Sequence, residues 1–95
     1  MVVGSGKIML RLHDCRSLKE KRKIIKSFMA RLKNRFNISI AETGSNDLHT
    51  QAEIGFALVG NDNRRINSKI DKILDMAEAM GIAQITDSEA EIISL

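Results

Sequence analysis

Residues 17–36, SLKEKRKIIKSFMARLKNRF, set the strongest constraint on what this chain can fold into. Leu18, Ile25, Phe28, Met29, Leu32 and Phe36 recur at spacings of three, four and seven, which places them on one side of a 3.6-residue helix. Ser17 followed by Glu20 is a capping-box start, in which the hydroxyl accepts from an orphan backbone N–H and the carboxylate reaches back to the cap. Asn37 can end the helix after Phe36. Lys19, Arg22, Lys23, Lys26 and Lys33 form a stripe on the neighbouring side, and Lys21, Arg31 and Arg35 add charge off that stripe. Lys21 falls toward the apolar side, where a lysine snorkels or pairs with an acid.

The rest of the chain alternates between two periods. Met1 to His13 reads as a strand, with Ile8, Leu10 and Leu12 on one face and Lys7, Met9, Arg11 and His13 on the other. Gly4 and Gly6 mark a bulge or a close backbone approach. Ile38 and Ile40 open a second strand, and Gly44-Ser45-Asn46-Asp47 is a turn cluster. A third strand, Ala52 to Val59, puts Ile54, Phe56 and Leu58 on one face and Gly55, Ala57 and Val59 on the other. After Gly60-Asn61-Asp62-Asn63, the positions Ile66, Ile70, Ile73, Leu74 and Ala77 mark a second helix to about Met80, with Gly81 as its C-terminal cap. Ile82 to Leu95 is a last strand, kinked near Asp87-Ser88.

The order is β-α-β-β-α-β over residues 1–95, read as one domain. One apolar face per strand and one apolar stripe per helix predict two helices covering one face of a four-stranded antiparallel sheet. With right-handed crossovers this is the α+β ferredoxin-like sandwich. The uncovered face, with Met9, Ala57 and Val59 directed outward, is a candidate interface for a partner or a second copy.

Charge is distributed unevenly. Eight of the 15 Lys and Arg lie in residues 17–36, against one acid, Glu20. Residues 1–47 carry a balance of +7 and residues 48–95 one of −4. A run of charge is ordinarily a solvated face, but acids are then interleaved. Their scarcity points instead to a polyanion. The candidate nucleic-acid-binding residues are Lys19, Arg22, Lys23, Lys26 and Lys33, with Arg16, Arg64 and Arg65 as flanking contacts. Three Phe and no Tyr or Trp leave little for base stacking, so recognition is expected to rest on phosphate and shape.

Four blocks, Ser-Leu-Lys-Glu-Lys-Arg at 17–22, Arg-Phe-Asn-Ile-Ser-Ile-Ala-Glu at 35–42, Asp-Leu at 47–48 and Gln-Ala-Glu-Ile-Gly at 51–55, resemble the small bacterial YlxP-like family of unknown function. The resemblance covers nearly the whole chain and implies a ferredoxin-like fold. Genes of that family often neighbour those for transcription elongation, translation initiation and ribosome maturation, which implies a role near RNA or the ribosome. The chain departs from the family at His13-Asp14-Cys15-Arg16, where the family carries Pro-Gly and then His, and at His49, where it carries a bulky aromatic.

Enzymatic readings find less support. Cys15 precedes a helix N-terminus between His13 and Arg16, a setting that favours a thiolate, with His49 and Asp47 expected at the same end. No Cys pair or His-x-x-x-His spacing supports a metal. Gly4-Ser5-Gly6-Lys7 lacks the frame of a phosphate loop. Catalytic residues, metal and cofactor are therefore expected to be absent. The absence of a basic leader and of an apolar run of membrane length leads to the expectation of a cytoplasmic protein. The leading expectation is a non-enzymatic RNA- or ribosome-associated protein, and the alternative is a homodimeric interaction module on the open sheet face.

Overall fold

In the computed structural model, which describes residues 1–95, the elements follow the order β1 (Val2–Arg11), α1 (Leu18–Arg35), β2 (Ser39–Gly44), β3 (Gln51–Gly60), α2 (Asn63–Met80) and β4 (Gln84–Ser94). The strands make one sheet in the order β2-β3-β1-β4, every neighbouring pair antiparallel. This is the ferredoxin-like sandwich, with both helices on one face. β1 and β3 run antiparallel, so the helices that follow them do too, and the C-terminus of α1 lies at the same end as the N-terminus of α2.

Local chemistry sets the helix limits. Ser17 Oγ accepts from Glu20 N–H at 3.1 Å. The Glu20 carboxylate accepts from Arg16 N–H at 2.9 Å, one residue before the cap rather than at the cap itself. Phe36, in extended conformation, closes the other end. Asp62 caps α2 by accepting from Arg64 and Arg65 N–H, and Gly81 ends it in the left-handed region at φ 62°.

The core lies between helices and sheet. Ile8, Leu10 and Leu12 from the first strand and its extension, Ala52, Ile54, Phe56 and Leu58 from β3, and Ile25, Phe28 and Leu32 from α1 are buried together with Ile66, Ile70, Ile73 and Ala77 from α2. Each large side chain of this set contributes roughly 1.5–3 kcal/mol on leaving water. β4 adds no fully buried side chain; Ile85 and Ile92 are half-buried. Gly4 is a point of close approach, as a Cβ there would lie 2.6 Å from Ile66 Cγ2.

Two bulges bend the sheet. In the β1–β4 pair the register slips between Met9 and Leu10, leaving Thr86 unpaired beside the expected kink at Asp87-Ser88. In the β2–β3 pair it slips between Glu42 and Gly44, leaving Thr43 unpaired. Both threonines bond the partner strand: Thr86 Oγ1 to Met9 O at 3.3 Å, Thr43 Oγ1 to Glu53 Oε2 at 2.7 Å. The last strand begins at Gln84, later than the expected Ile82, because Gly81 to Ala83 are spent on the turn out of α2. The first strand ends at Arg11, two residues short of His13, although Leu12 N–H still donates to Thr50 O at 2.9 Å.

Candidate nucleic-acid interface

α1 holds its basic stripe clear of the core. Ile25, Phe28 and Leu32 face the sheet, which turns Lys19, Arg22, Lys23, Lys26 and Lys33 to solvent, all of them exposed. No carboxylate lies within salt-bridge distance of any of the five, since the chain's one salt bridge is Lys21–Glu42. Along an 18-residue helix the stripe runs for about 25 Å, from the 1.5 Å rise per residue. Arg16 stands exposed at its N-terminal end. Arg64 and Arg65, also exposed, open α2 beside the C-terminal end of α1. The eight sequence candidates thus lie on the helix layer, distributed from one end to the other. Asp71, Asp75 and Glu78 occupy the later turns of α2, so the basic surface is bounded on that side.

The same end carries two cations outside the expected set. Arg35 and Lys69 line a crevice of about 150 Å3 floored by Phe36, Ile38, Leu58 and Ile73. Sequence spacing set Arg35 off the stripe, and only the antiparallel packing of the helices brings Lys69 to it.

Lys21 is the one basic residue of α1 turned inward. It sits four residues before Ile25 and seven before Phe28, in the middle of the apolar stripe, and is 1% exposed. Its ammonium lies 2.7 Å from Glu42 Oε2 and donates to Ser45 O at 2.5 Å and Leu48 O at 2.6 Å. Two backbone carbonyls accept its protons, and the Glu42 carboxylate stands beside it as the charge partner. It therefore ties the β2–β3 connection to the start of α1 and is not part of the exposed stripe.

The first loop is tied to both the core and the start of β4. Cys15 is buried at 7% within the core cluster, and its thiol donates to Ser17 O at 3.5 Å. His13 Nε2 pairs with Gln84 Oε1 at 2.8 Å, joining this loop to the start of β4. No three His, Cys, Asp or Glu side chains of the chain converge on a common point. Gly4-Ser5-Gly6-Lys7 lies within β1, opposite Leu58 to Gly55.

The aromatic side chains are withdrawn from the surface. Phe28 and Phe56 are buried and Phe36 is half-buried. Neither buried ring is open to a base, and Phe36 floors the crevice of Arg35 and Lys69. The exposed surface of α1 carries cations and no aromatic ring.

The open sheet face presents Met9 half-buried, Ala57 on the floor of a trough of about 700 Å3, and Val59 exposed. Val3 on β1 and Ile93 on β4, which sequence spacing did not single out, stand in the row of Val59, with Val3 paired to Val59 on one side and to Ile93 on the other. No helix of the chain is long and apolar enough to cross a membrane.

Residues 3–90 match the family model described as a protein of unknown function, DUF503. The chain belongs to this family. It is 27% identical over 90 residues to the uncharacterized protein YlxP of Bacillus subtilis (strain 168), across 95% of this chain and 98% of that protein. Among solved structures, a de novo designed protein with ferredoxin fold superimposes with a TM-score of 0.48 at 14% identity, covering 98% of this chain and 84% of that one. A dimeric ferredoxin-like protein of unknown function from Thermobifida fusca gives 0.41 at 16% identity, covering 98% and 92%.

Proposed function

We propose that this DUF503 protein binds RNA, on the ribosome or in its precursors, through the exposed face of α1. One observation carries the reading: five cations stand in a stripe on a single helix, all solvent-exposed and none paired with a carboxylate. A stripe kept only for solubility is normally interleaved with acids, and α1 has one acid, which is engaged at its cap. Arg16 extends the stripe at one end, and Arg64 and Arg65 extend it at the other. Contacts of this kind position a phosphate backbone without reading sequence. With Phe28 and Phe56 buried and Phe36 half-buried, the favoured target is a structured RNA known by its shape.

The test is binding to small-subunit ribosomal RNA and to intact small subunits across a salt series, alongside the triple variant Lys19→Glu, Arg22→Glu, Lys26→Glu. Binding near physiological salt that disappears in the variant, with the far-UV spectrum unchanged, supports the reading. Equal affinity of the variant and the wild type overturns it.

A further inference from the structure

We infer that two copies of this chain associate face to face through the open side of the sheet. Side chains at odd positions of β1 point to this side, away from the helices, and the strand register fixes their neighbours. Val3 pairs with Val59 on β3 and with Ile93 on β4. The termini continue the patch, since Leu95 N–H donates to Met1 O at 2.8 Å beside that row. Met1, Val59, Ile93 and Leu95 are 64%, 65%, 43% and 74% exposed. They are four of the chain's five exposed large hydrophobic residues, gathered on one corner of one face. Scattered apolar exposure is ordinary on a soluble surface, but a cluster of this kind marks a contact.

The neighbouring rows have room for a second sheet. Ser5 and Ala57 pair in the next row and Lys7 faces Gly55 in the one after, flooring the trough with small side chains. Stacked sheets sit about 10 Å apart and need interdigitating side chains, which this relief supplies.

The charge pattern identifies the occupant as another copy. Glu89 and Glu91 form one wall of the trough on β4, and β2 forms the other with the uncharged Ser39, Ala41 and Thr43. A two-fold axis along the strands lays β4 of one copy over β2 of the other, and β1 over β3. The acidic wall then meets no acid, Lys7 reaches the space above Gly55, and the Val3–Val59–Ile93 row meets its own apolar copy. Four strands at about 4.8 Å spacing and about 3.4 Å per residue give a footprint on the order of 600 Å2 per copy. The two footprints together reach roughly 1,200 Å2, the lower bound for a stable specific interface.

The experiment is the mass in solution, by light scattering and sedimentation at tens of micromolar. Wild type is expected at twice the 10.6 kDa chain mass. Val59→Glu and Ala57→Arg, both facing solvent in the single chain, are expected to stay folded. Each should raise the dimer dissociation constant about 100-fold or more, because a long charged side chain replaces a small or apolar one where the two sheets must pack. Leu48→Glu removes the fifth exposed hydrophobic residue, on the β2–β3 turn, and should leave the dimer intact. A monomeric wild type overturns the inference. So does a dimer that survives both sheet-face variants or is lost in Leu48→Glu.

Discussion

Lys21 Nζ lies 2.7 Å from Glu42 Oε2, joining the first turn of α1 to the end of β2 beneath the helix layer. The lysine side chain is 1% exposed and the glutamate 18%, and no other donor reaches that carboxylate oxygen. The same ammonium holds the carbonyls of Ser45 and Leu48, the former in the left-handed region at φ 60°. One buried cation thus pairs in charge with a carboxylate and donates to two backbone acceptors in a connection that has little else to fasten it.

Removing that cation alone is expected to cost more than removing the pair. Lys21→Met leaves Glu42 without its partner and should destabilise the fold by ~3 kcal/mol in urea unfolding. Lys21→Met with Glu42→Met should recover most of that loss, because two apolar side chains pack where two charges stood. A double variant no more stable than Lys21→Met would show that the two carbonyls, rather than the carboxylate, are what the lysine serves.

Gly4 governs the distance between α2 and the sheet. A Cβ there would approach Ile66 Cγ2 to 2.6 Å and Ile70 Cδ1 to 3.1 Å, both on side chains of the core. Gly4→Ala should therefore lift the N-terminal half of α2 and cost about 1–3 kcal/mol as overpacking. Thermal melting of the variant measures it, and an unchanged midpoint would show that Ile66 repacks freely.

Gly81 makes a contrasting case. Its φ is 62° and a Cβ would meet nothing within 4 Å, so only backbone conformation penalises a side chain. Gly81→Ala is expected to lose about 1 kcal/mol, and Gly81→Asn less, because Asn tolerates the left-handed region. Equal losses in the two variants would point to a cause other than conformation.

The stripe on α1 makes a quantitative claim about salt. If all five cations contact phosphates, the slope of log K against log salt should be about −3.5 to −4.5, between single-strand and duplex values. Replacing Lys26 with Gln should flatten the slope by about 0.7–0.9. Lys21→Met should leave it unchanged among the folded molecules, because that ammonium never faces the ligand. A slope insensitive to Lys26 would remove this residue from the interface.

Much of this architecture follows from local pattern. The apolar positions of α1 and α2, the caps at Ser17, Asp62 and Gly81, and the alternation through Ile54, Phe56 and Leu58 each depend on residues a few places apart, so periodicity alone reveals them. The stripe of Lys19, Arg22, Lys23, Lys26 and Lys33 was legible for the same reason: a helix fixes the angle of every side chain it carries. The inward place of Lys21 was visible too, since it falls among Ile25 and Phe28.

Tertiary structure decided the partners. Nothing near Lys21 in the chain names Glu42, Ser45 or Leu48 as its acceptors; β2 has to dock under α1 first. Cys15 reads as a loop residue from its neighbours, and only the fold turns its side chain into the core. Val3, Val59 and Ile93 lie far apart in sequence and meet only because β1 pairs with β3 and β4 in one register. Arg35 and Lys69 share a crevice only because the two helices run antiparallel. Which elements form, and which side each presents, follows from residues close together in the chain, because those depend on short-range geometry. Which sides face one another depends on contacts across the whole chain, and the fold alone supplies them.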